Sequence, residues 1–212
     1  MKIEFDHLVV AARTLSEGVH WCEATLGITP GPGGKHPLMS THNRVFSIGS
    51  DAFPNTFFEI IAIDPDAPPP GRTRWFGLDA QDVSSGPRLV TFVARTTALD
   101  RTLAALRGIG FDAGPALAAS RDTPLGLLRW RIAVRDDGAV LCGGAMPTLI
   151  EWGDRHPAAS MPPSGAVLRS LTLRGVPRSA LDSAQLAIAE TPGAALEAHL
   201  DTPHGVVTLC SS

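Results

Sequence analysis

The sequence has few cysteines and no pair of cysteines at short spacing. Its three cysteines, Cys22, Cys142 and Cys210, lie far apart in the chain, and there is no C-x-x-C motif. An odd number of distant cysteines favours neither a disulfide framework nor a zinc knuckle. We therefore interpret all three as small, buried apolar residues.

The sequence also lacks long apolar runs and concentrated charge. No stretch approaches the ~18 apolar residues of a membrane span, and the N-terminus lacks the basic start and apolar run of a signal peptide. The net charge is -3, and the 18 lysine and arginine residues are scattered along the chain. These absences predict a cytoplasmic protein that binds neither membranes nor nucleic acid.

The composition is that of an ordinary globular protein. Hydrophobic residues make up 44% and charged residues 18% of the 212 positions. A chain of this length can bury the core of one large domain or of two small ones.

Three segments of the chain share one arrangement: a β-type run, an arginine, a polar cap and a helical stretch. They are "HLVVAARTLSEG" (7–18), "LVTFVARTTALD" (89–100) and "LRSLTLRGVPRSALD" (168–182). Such self-similarity predicts duplicated supersecondary units.

Periodicity and capping signals predict the elements of each unit. The first has a strand at 3–11, a helix at 15–26, a loop rich in proline and glycine with a short strand inside it, and strands at 43–49 and 56–63. The second has a strand at 88–95, a helix at 97–108 and strands at 127–134 and 147–152. The third has a strand at 167–174, a helix at 178–190 and a terminal hairpin. Because most strands are neighbours in sequence, we predict an α+β fold with curved, mostly antiparallel sheets.

Three ionisable residues interrupt apolar strands: His7, Glu59 and Glu151. A histidine here is commonly a hydrogen-bonded core residue, and a glutamate commonly faces solvent. Their recurrence in the first and last strands of the units favours a shared role, because an unpaired buried charge costs several kcal/mol. An imidazole and two carboxylates suit a divalent cation. Strand alternation places Glu151 on the face of Leu149, opposite Trp152.

The loop before the third strand brings together several polar side chains. Lys35-His36-Pro37 and Thr41-His42-Asn43 lie within nine residues, and the preceding glycines allow close backbone approach to a ligand. A further histidine, His156, follows the last strand of the second unit. We expect ligand contacts from these histidines, with His42 the best placed, unless they only hydrogen-bond within their loops.

The segments "FDHLVVAARTLSEGVHWCEATLGI", "GGKHP…THNRVFSIG" and "FFEIIAID" resemble the vicinal oxygen chelate superfamily, most closely its glyoxalase-like domain proteins. This is the type of glyoxalases, bleomycin resistance proteins and extradiol dioxygenases. The resemblance covers residues 1–64 and, more loosely, 88–157. It implies two βαβββ modules, at 1–64 and 88–157, whose sheets curve around a cavity. A linker at 65–87 joins them, and a C-terminal βαββ extension at 158–212 packs on the same domain.

The resemblance also implies a site. His7, Glu59 and Glu151 match metal-ligand positions, whereas the fourth position falls at Thr91, or at Leu89 if the register slips, and neither is a usual ligand. The coordination of a divalent ion (Zn, Ni, Mn or Fe, identity open) would then be completed by water or by His42, or the ion would be absent.

Implied functions follow from that site. A metal that binds adjacent substrate oxygens would make the protein a lyase, an isomerase or a dioxygenase. Glu151, as ligand or proton shuttle, and His42 are the catalytic candidates. The candidate substrate contacts are His36, His42, Asn43, Thr91, Trp152 and His156. The alternative is a metal-free protein that binds a small molecule in the same cavity. The sequence leaves open whether two chains form a homodimer.

Overall fold

A computed structural model describes residues 2–181 and 183–211. The larger sheet consists of β1 (Glu4–Ala11), β2 (Gly31–His36), β3 (Thr41–Ser47), β4 (Phe57–Ile63), β5 (Arg88–Arg95), β6 (Ala116–Arg121), β7 (Leu128–Ala133) and β8 (Thr148–Trp152). Two helices accompany it, α1 (Leu15–Leu26) and α2 (Leu99–Gly108). A smaller sheet is formed by β9 (Val167–Leu173), β10 (Ala187–Ile188), β11 (Leu196–Thr202) and β12 (Gly205–Cys210).

The larger sheet consists of two similar halves that meet at its centre. Its strand order is β2-β3-β4-β1-β5-β8-β7-β6, so each half contributes four adjacent strands. β1 pairs in parallel with β4 and antiparallel with β5, and β5 pairs in parallel with β8. The curved sheet nearly closes, and its two edge strands come so close that the side chain of Arg121 on β6 reaches Gly34 on β2. The predicted α+β fold with paired βαβββ modules is confirmed.

Local capping explains where α1 begins and ends. The Thr14 hydroxyl accepts a hydrogen bond from the Glu17 backbone N–H, at 3.1 Å, and satisfies a free donor of the first turn. The helix stops at Gly27, whose φ of 70° is the left-handed conformation that glycine adopts readily. At 12 residues, α1 is the longer helix, and in the described part of the chain no helix is long and apolar enough to cross a membrane.

Both faces of the larger sheet are buried. The outer face packs against the helices and the smaller sheet through side chains such as Leu8, Phe58 and Phe92. The inner face carries a second apolar cluster, to which Trp75 and Phe76 contribute. The segment predicted as a linker, 65–87, therefore supplies buried aromatic side chains to the concave side of the sheet.

The predicted helix at 178–190 is not formed. Residues Arg178–Ala180 make a single 3₁₀ turn, and β10 follows as an extended segment; residue 182 lies outside the described residues. Gln185 explains the extended path, because its side-chain oxygen accepts a hydrogen bond from the Phe5 N–H at 2.8 Å. Its amide nitrogen donates to the Ala52 carbonyl at 2.9 Å. These tertiary contacts override the weak helical pattern of the segment.

Candidate functional site

The concave side of the larger sheet encloses a cavity of about 40 Å³. Its polar lining residues are His7, His36, Asn43, Glu59 and Arg121. The remaining walls are mainly apolar and aromatic and include Phe57, Trp75, Phe76, Trp130 and Trp152. The site is thus a small, mainly apolar chamber in which a few polar groups converge.

His7 enters the cavity from β1 at a point where the strand is irregular. The register against β5 shifts between Phe5 and His7, which leaves Asp6 in a bulge. The Asp6 carboxylate accepts a hydrogen bond from His7 Nδ1 at 2.6 Å. The imidazole also stacks on the Phe57 ring, with 4.2 Å between ring centroids. These contacts fix the orientation of the imidazole and direct Nε2 toward Glu59.

Asp6 is a fully buried carboxylate that binds three donors. Besides His7, Trp152 Nε1 and His156 Nε2 each donate to its second oxygen at 2.9 Å. The Nδ1 atom of His156 accepts from the Ala158 N–H at 3.2 Å, which leaves the ring proton on Nε2. Although burial alone would raise the pKa of Asp6, the hydrogen bonds from His156 and His7 hold that pKa well below its usual range. Asp6 therefore remains ionised.

Glu59 lies opposite the other nitrogen of the His7 ring. The distance from His7 Nε2 to Glu59 Oε2 is 3.6 Å, and Asn43 Nδ2 donates to Glu59 Oε1 at 2.5 Å. Burial lowers the pKa of His7, but Asp6 and Glu59 outweigh it and raise that pKa to about 9. Burial raises the pKa of Glu59, but His7 and Asn43 bring it below its ordinary value. At neutral pH a buried imidazolium therefore lies between two carboxylates.

Asn43 connects this pair to the opposite edge of the sheet. Its side-chain oxygen accepts hydrogen bonds from the Gly34 N–H at 2.8 Å and from Arg121 Nη1 at 3.1 Å. A Cβ atom at Gly34 would lie 2.5 Å from Arg121 Nη1, so the arginine can reach this position only because residue 34 is glycine. The glycine predicted to allow close approach of a ligand allows instead the approach of this guanidinium.

His36 is a neutral member of the lining. Burial lowers the pKa of His36 to about 4, despite the nearby Glu59. Its Nδ1 is within 3.0 Å of the Thr41 hydroxyl, and its ring meets Trp75 edge-on at 5.2 Å between centroids. His36, Asn43 and Trp152, three of the predicted substrate contacts, thus line the cavity.

Glu151 does not join His7 and Glu59, contrary to the expected convergence. Its carboxylate accepts from the Leu99 N–H at the start of α2, at 3.3 Å, and from Arg131 Nη1 at 3.2 Å. These contacts lie on the helix side of the sheet, while the neighbouring Trp152 faces the cavity. The physical reason is strand alternation, which separates consecutive side chains.

The other predicted site residues lie outside the cavity. His42 points away from it and has its Nδ1 3.9 Å from Asp64 Oδ1. The Thr91 hydroxyl donates to the Gly144 carbonyl at 3.1 Å. His156 lies behind the wall, where it binds Asp6. Thr91 thus has a structural hydrogen bond and His42 lies near Asp64, whereas His156 supports the site from outside.

The residues of the second half do not complete a metal site. When Thr91 is matched with His7, Val93 on β5 matches Val9 on β1. Val9 pairs with Glu59, whereas Val93 pairs with Thr148. Across residues 2–181 and 183–211, no group of three or more histidine, cysteine or acidic side chains could hold a metal ion. Catalytic zinc sites use three protein ligands, so the two donors His7 and Glu59 do not fit a complete site.

The sequence profile of a family described as "Glyoxalase-like domain" matches residues 5–188. The chain belongs to this glyoxalase-like family. The predicted membership of the vicinal oxygen chelate superfamily is therefore confirmed. No curated protein matches the sequence.

Solved structures resemble this glyoxalase-like protein in fold. A crystal structure of a hypothetical protein from Staphylococcus aureus has a TM-score of 0.63 and 12% identity, covering 100% of this chain and 87% of that one. Methylmalonyl-CoA epimerase from Mycobacterium tuberculosis has a TM-score of 0.41 and 15% identity, covering 70% and 86%. A hypothetical protein from Bacillus halodurans has a TM-score of 0.43 and 8% identity, covering 73% and 96%. At these identities the likeness concerns the fold alone.

Proposed function

We propose that this glyoxalase-like protein is a small-molecule enzyme that removes a proton from a carbon atom next to a carbonyl group. Glu59 is the base and His7 stabilises the negative charge that develops on the carbonyl oxygen. The observation that carries the proposal is the 3.6 Å approach of His7 Nε2 to Glu59 Oε2 in a buried, aromatic chamber. A proton acceptor and a cationic donor are thus within reach of one small substrate.

The step can be written with these two groups alone. The substrate C–H bond breaks and its proton passes to the Glu59 carboxylate, while the electron pair forms a C=C bond and the carbonyl oxygen becomes an enolate. The His7 Nε2–H donates a hydrogen bond to that oxygen. Return of the proton at another position completes an isomerisation, and departure of a neighbouring substituent completes a lyase reaction.

Hydrogen bonds from neighbouring side chains orient His7 and Glu59 for this step. Asp6 holds the His7 ring by its Nδ1–H, so the imidazolium keeps its orientation and its charge. Asn43 fixes one oxygen of Glu59 and leaves the other toward the ring. Aromatic walls line the chamber, and such apolar surroundings strengthen the hydrogen bond to a developing oxyanion.

The proposed step uses side chains of the protein alone, and among the described residues no group of three or more histidine, cysteine or acidic side chains is placed to hold a metal ion. The divalent ion predicted from sequence stays a prediction that the experiment below tests.

A second candidate function is binding without turnover. The specific observation in its favour is that the pKa of His7 is raised to about 9 while that of Glu59 is lowered. Acid–base catalysts work best with pKa values near the working pH, so a strongly polarised pair favours holding charge over exchanging protons. Such a protein would sequester its ligand in the same cavity.

Hydrogen–deuterium exchange at carbon separates the two functions. Proton NMR would follow exchange of the methyl protons of pyruvate and of butane-2,3-dione in deuterated water, with wild type, Glu59→Gln and Glu151→Gln. For an enzyme we expect catalysed exchange of at least one probe, a loss of about 100-fold or more in Glu59→Gln, and full rate in Glu151→Gln. Binding without catalysed exchange would identify a binding protein. Loss of exchange on addition of EDTA would instead support the metal-dependent enzyme that the sequence predicts.

A further inference from the structure

Arg121 is a half-buried arginine of the cavity lining that makes no direct ion pair with residues 2–181 or 183–211, although the charge of the nearby Glu59 acts on it. Its guanidinium donates one hydrogen bond, to the Asn43 side-chain oxygen at 3.1 Å. In the described part of the chain no carboxylate lies within ion-pair distance of it, whereas Arg95, Arg131 and Arg174 are each paired with an acid. A guanidinium has five N–H donors in a planar fork, so most of its hydrogen-bonding capacity is unused.

A second donor in the same lining also has no partner. The Trp75 indole N–H is buried and makes no hydrogen bond to any residue in 2–181 or 183–211. The Trp75 side chain is 3% exposed and lines the cavity together with Arg121. Buried donors are nearly always satisfied in folded proteins, so a missing acceptor at this position calls for an explanation.

Two of the acceptors that the cavity itself provides are engaged by side chains of the lining or face one. One oxygen of Glu59 accepts from Asn43, and the other faces the imidazolium of His7. The Asn43 oxygen accepts from both Gly34 and Arg121. The unfilled hydrogen-bonding capacity of this lining therefore includes two donors, the Trp75 indole N–H and the positively charged Arg121 guanidinium.

We propose that the cavity binds a small monocarboxylate, whose carboxylate group is held by the Arg121 guanidinium and the Trp75 indole N–H. Arginine is the residue best suited to this task because its fork matches a carboxylate with two parallel hydrogen bonds. The small volume of about 40 Å³ favours a short-chain ligand. Resting on the proposed function, which needs a carbonyl group beside an acidic C–H, the substrate class is a short-chain 2-oxo acid.

The competing explanation is that Arg121 only joins β6 to β2 across the gap between the sheet edges. Under that explanation the guanidinium is a structural contact, and anions have no preference for the cavity. Pairs of ligands that have the same shape but differ in charge separate the two explanations.

The experiment measures binding to the full chain by isothermal titration calorimetry. The first pair of probes is pyruvate and butane-2,3-dione, in which a methyl ketone replaces the carboxylate. We expect pyruvate to bind at least tenfold more tightly than the dione. Arg121→Gln should lower pyruvate affinity at least tenfold and leave dione affinity unchanged, and Trp75→Phe should lower pyruvate affinity several-fold. Arg129→Gln, a matched change of an exposed arginine on β7, should alter neither.

A measurement on wild type alone covers the case in which Arg121→Gln does not fold. Acetate should compete with pyruvate, and the isosteric neutral acetamide should not. Equal binding of pyruvate and the dione, or unchanged pyruvate affinity in a folded Arg121→Gln variant, would overturn the proposal. Its failure is distinguishable from that of the proposed function: pyruvate binding through Arg121 without catalysed exchange refutes only the reaction, and catalysed exchange that ignores Arg121 refutes only the carboxylate site.

Discussion

The imidazole of His7 is held by the side chain of Asp6, its neighbour in the sequence, through a hydrogen bond of 2.6 Å. Adjacent residues of a regular strand point to opposite faces and cannot make this contact. The bulge of β1 makes it possible by leaving Asp6 outside the regular register. The result is a carboxylate–imidazole–carboxylate row, Asp6–His7–Glu59, that starts in the wall and ends in the cavity.

Removal of the Asp6 charge should destabilise the protein strongly. In Asp6→Asn the imidazolium of His7 loses its nearest counter-ion inside the protein, and breaking a buried ion pair costs about 3 to 5 kcal/mol. Denaturant unfolding followed by tryptophan fluorescence measures the change. Asp100→Asn, which removes a fully exposed partner of Arg131, serves as the control and should leave the unfolding midpoint nearly unchanged. An Asp6→Asn variant as stable as wild type would contradict the assigned row.

The charge on His7 predicts a loss of stability at alkaline pH. The pKa of His7 is raised from 6.5 to about 9 in the folded protein. A raised pKa means that the folded state binds the proton more tightly, so the gain is complete below pH 6.5 and disappears as the pH rises through 9. The free energy of unfolding of wild type should therefore fall across this window more steeply than that of His7→Gln. Parallel pH profiles for the two proteins would show that His7 is not cationic at neutral pH.

Trp75 limits the size of the cavity. Trp75→Ala should cost about 3 to 5 kcal/mol, the usual range for deletion of a large buried aromatic side chain. The same change should enlarge the chamber, so that phenylpyruvate binds more tightly to the variant than to wild type. Calorimetry measures both affinities, and Trp21→Ala, on the opposite side of the sheet, is the control. Equal phenylpyruvate affinity in wild type and Trp75→Ala would place the binding site elsewhere.

Metal affinity should depend on the second half of the sheet. Wild type, which offers His7 and Glu59 alone, should bind Zn²⁺ weakly, and EDTA should not change its melting temperature. Thr91→His combined with Thr148→Glu places donors at the corresponding positions of β5 and β8 and should raise Zn²⁺ affinity by about 100-fold or more. Competition with a chromogenic chelator measures this. If wild type binds Zn²⁺ tightly and Glu59→Gln abolishes that binding, the metal site is complete without added donors at positions 91 and 148.

Strand periodicity was sufficient to predict most of the fold and the faces of β1 and β4 on which His7 and Glu59 lie. Alternation places His7 and Glu59 on the inner faces of β1 and β4, and the structure confirms these faces. The same alternation places Glu151 with Leu149, on the face opposite Trp152. The expected role of Glu151 as a metal ligand beside His7 and Glu59 therefore conflicted with the periodicity of β8. With Thr91 matched to His7, strand pairing places Thr148, three residues earlier, at the position of Glu59.

Other features depend on contacts that no local pattern encodes. Asp6 became part of the site through a bulge, and a single sequence carries no clear signal for that bulge. Arg121 lies on β6, a short strand of small residues without clear alternation, and it meets Asn43 only because the sheet nearly closes. The extended path around Gln185 replaces a predicted helix for the same kind of reason, a distant contact with β1.

The near-closure of the larger sheet has a consequence for how molecules reach its interior. β2 and β6 stand at the two ends of the hydrogen-bonded strand order, and side chains such as Arg121 span the gap between them. Separating these two strands costs a few side-chain contacts, whereas opening the wall anywhere else breaks a ladder of backbone hydrogen bonds. Opening the sheet between β2 and β6 therefore costs the least free energy. The Arg121 guanidinium, which we propose binds the carboxylate of the ligand, also holds these two strands together.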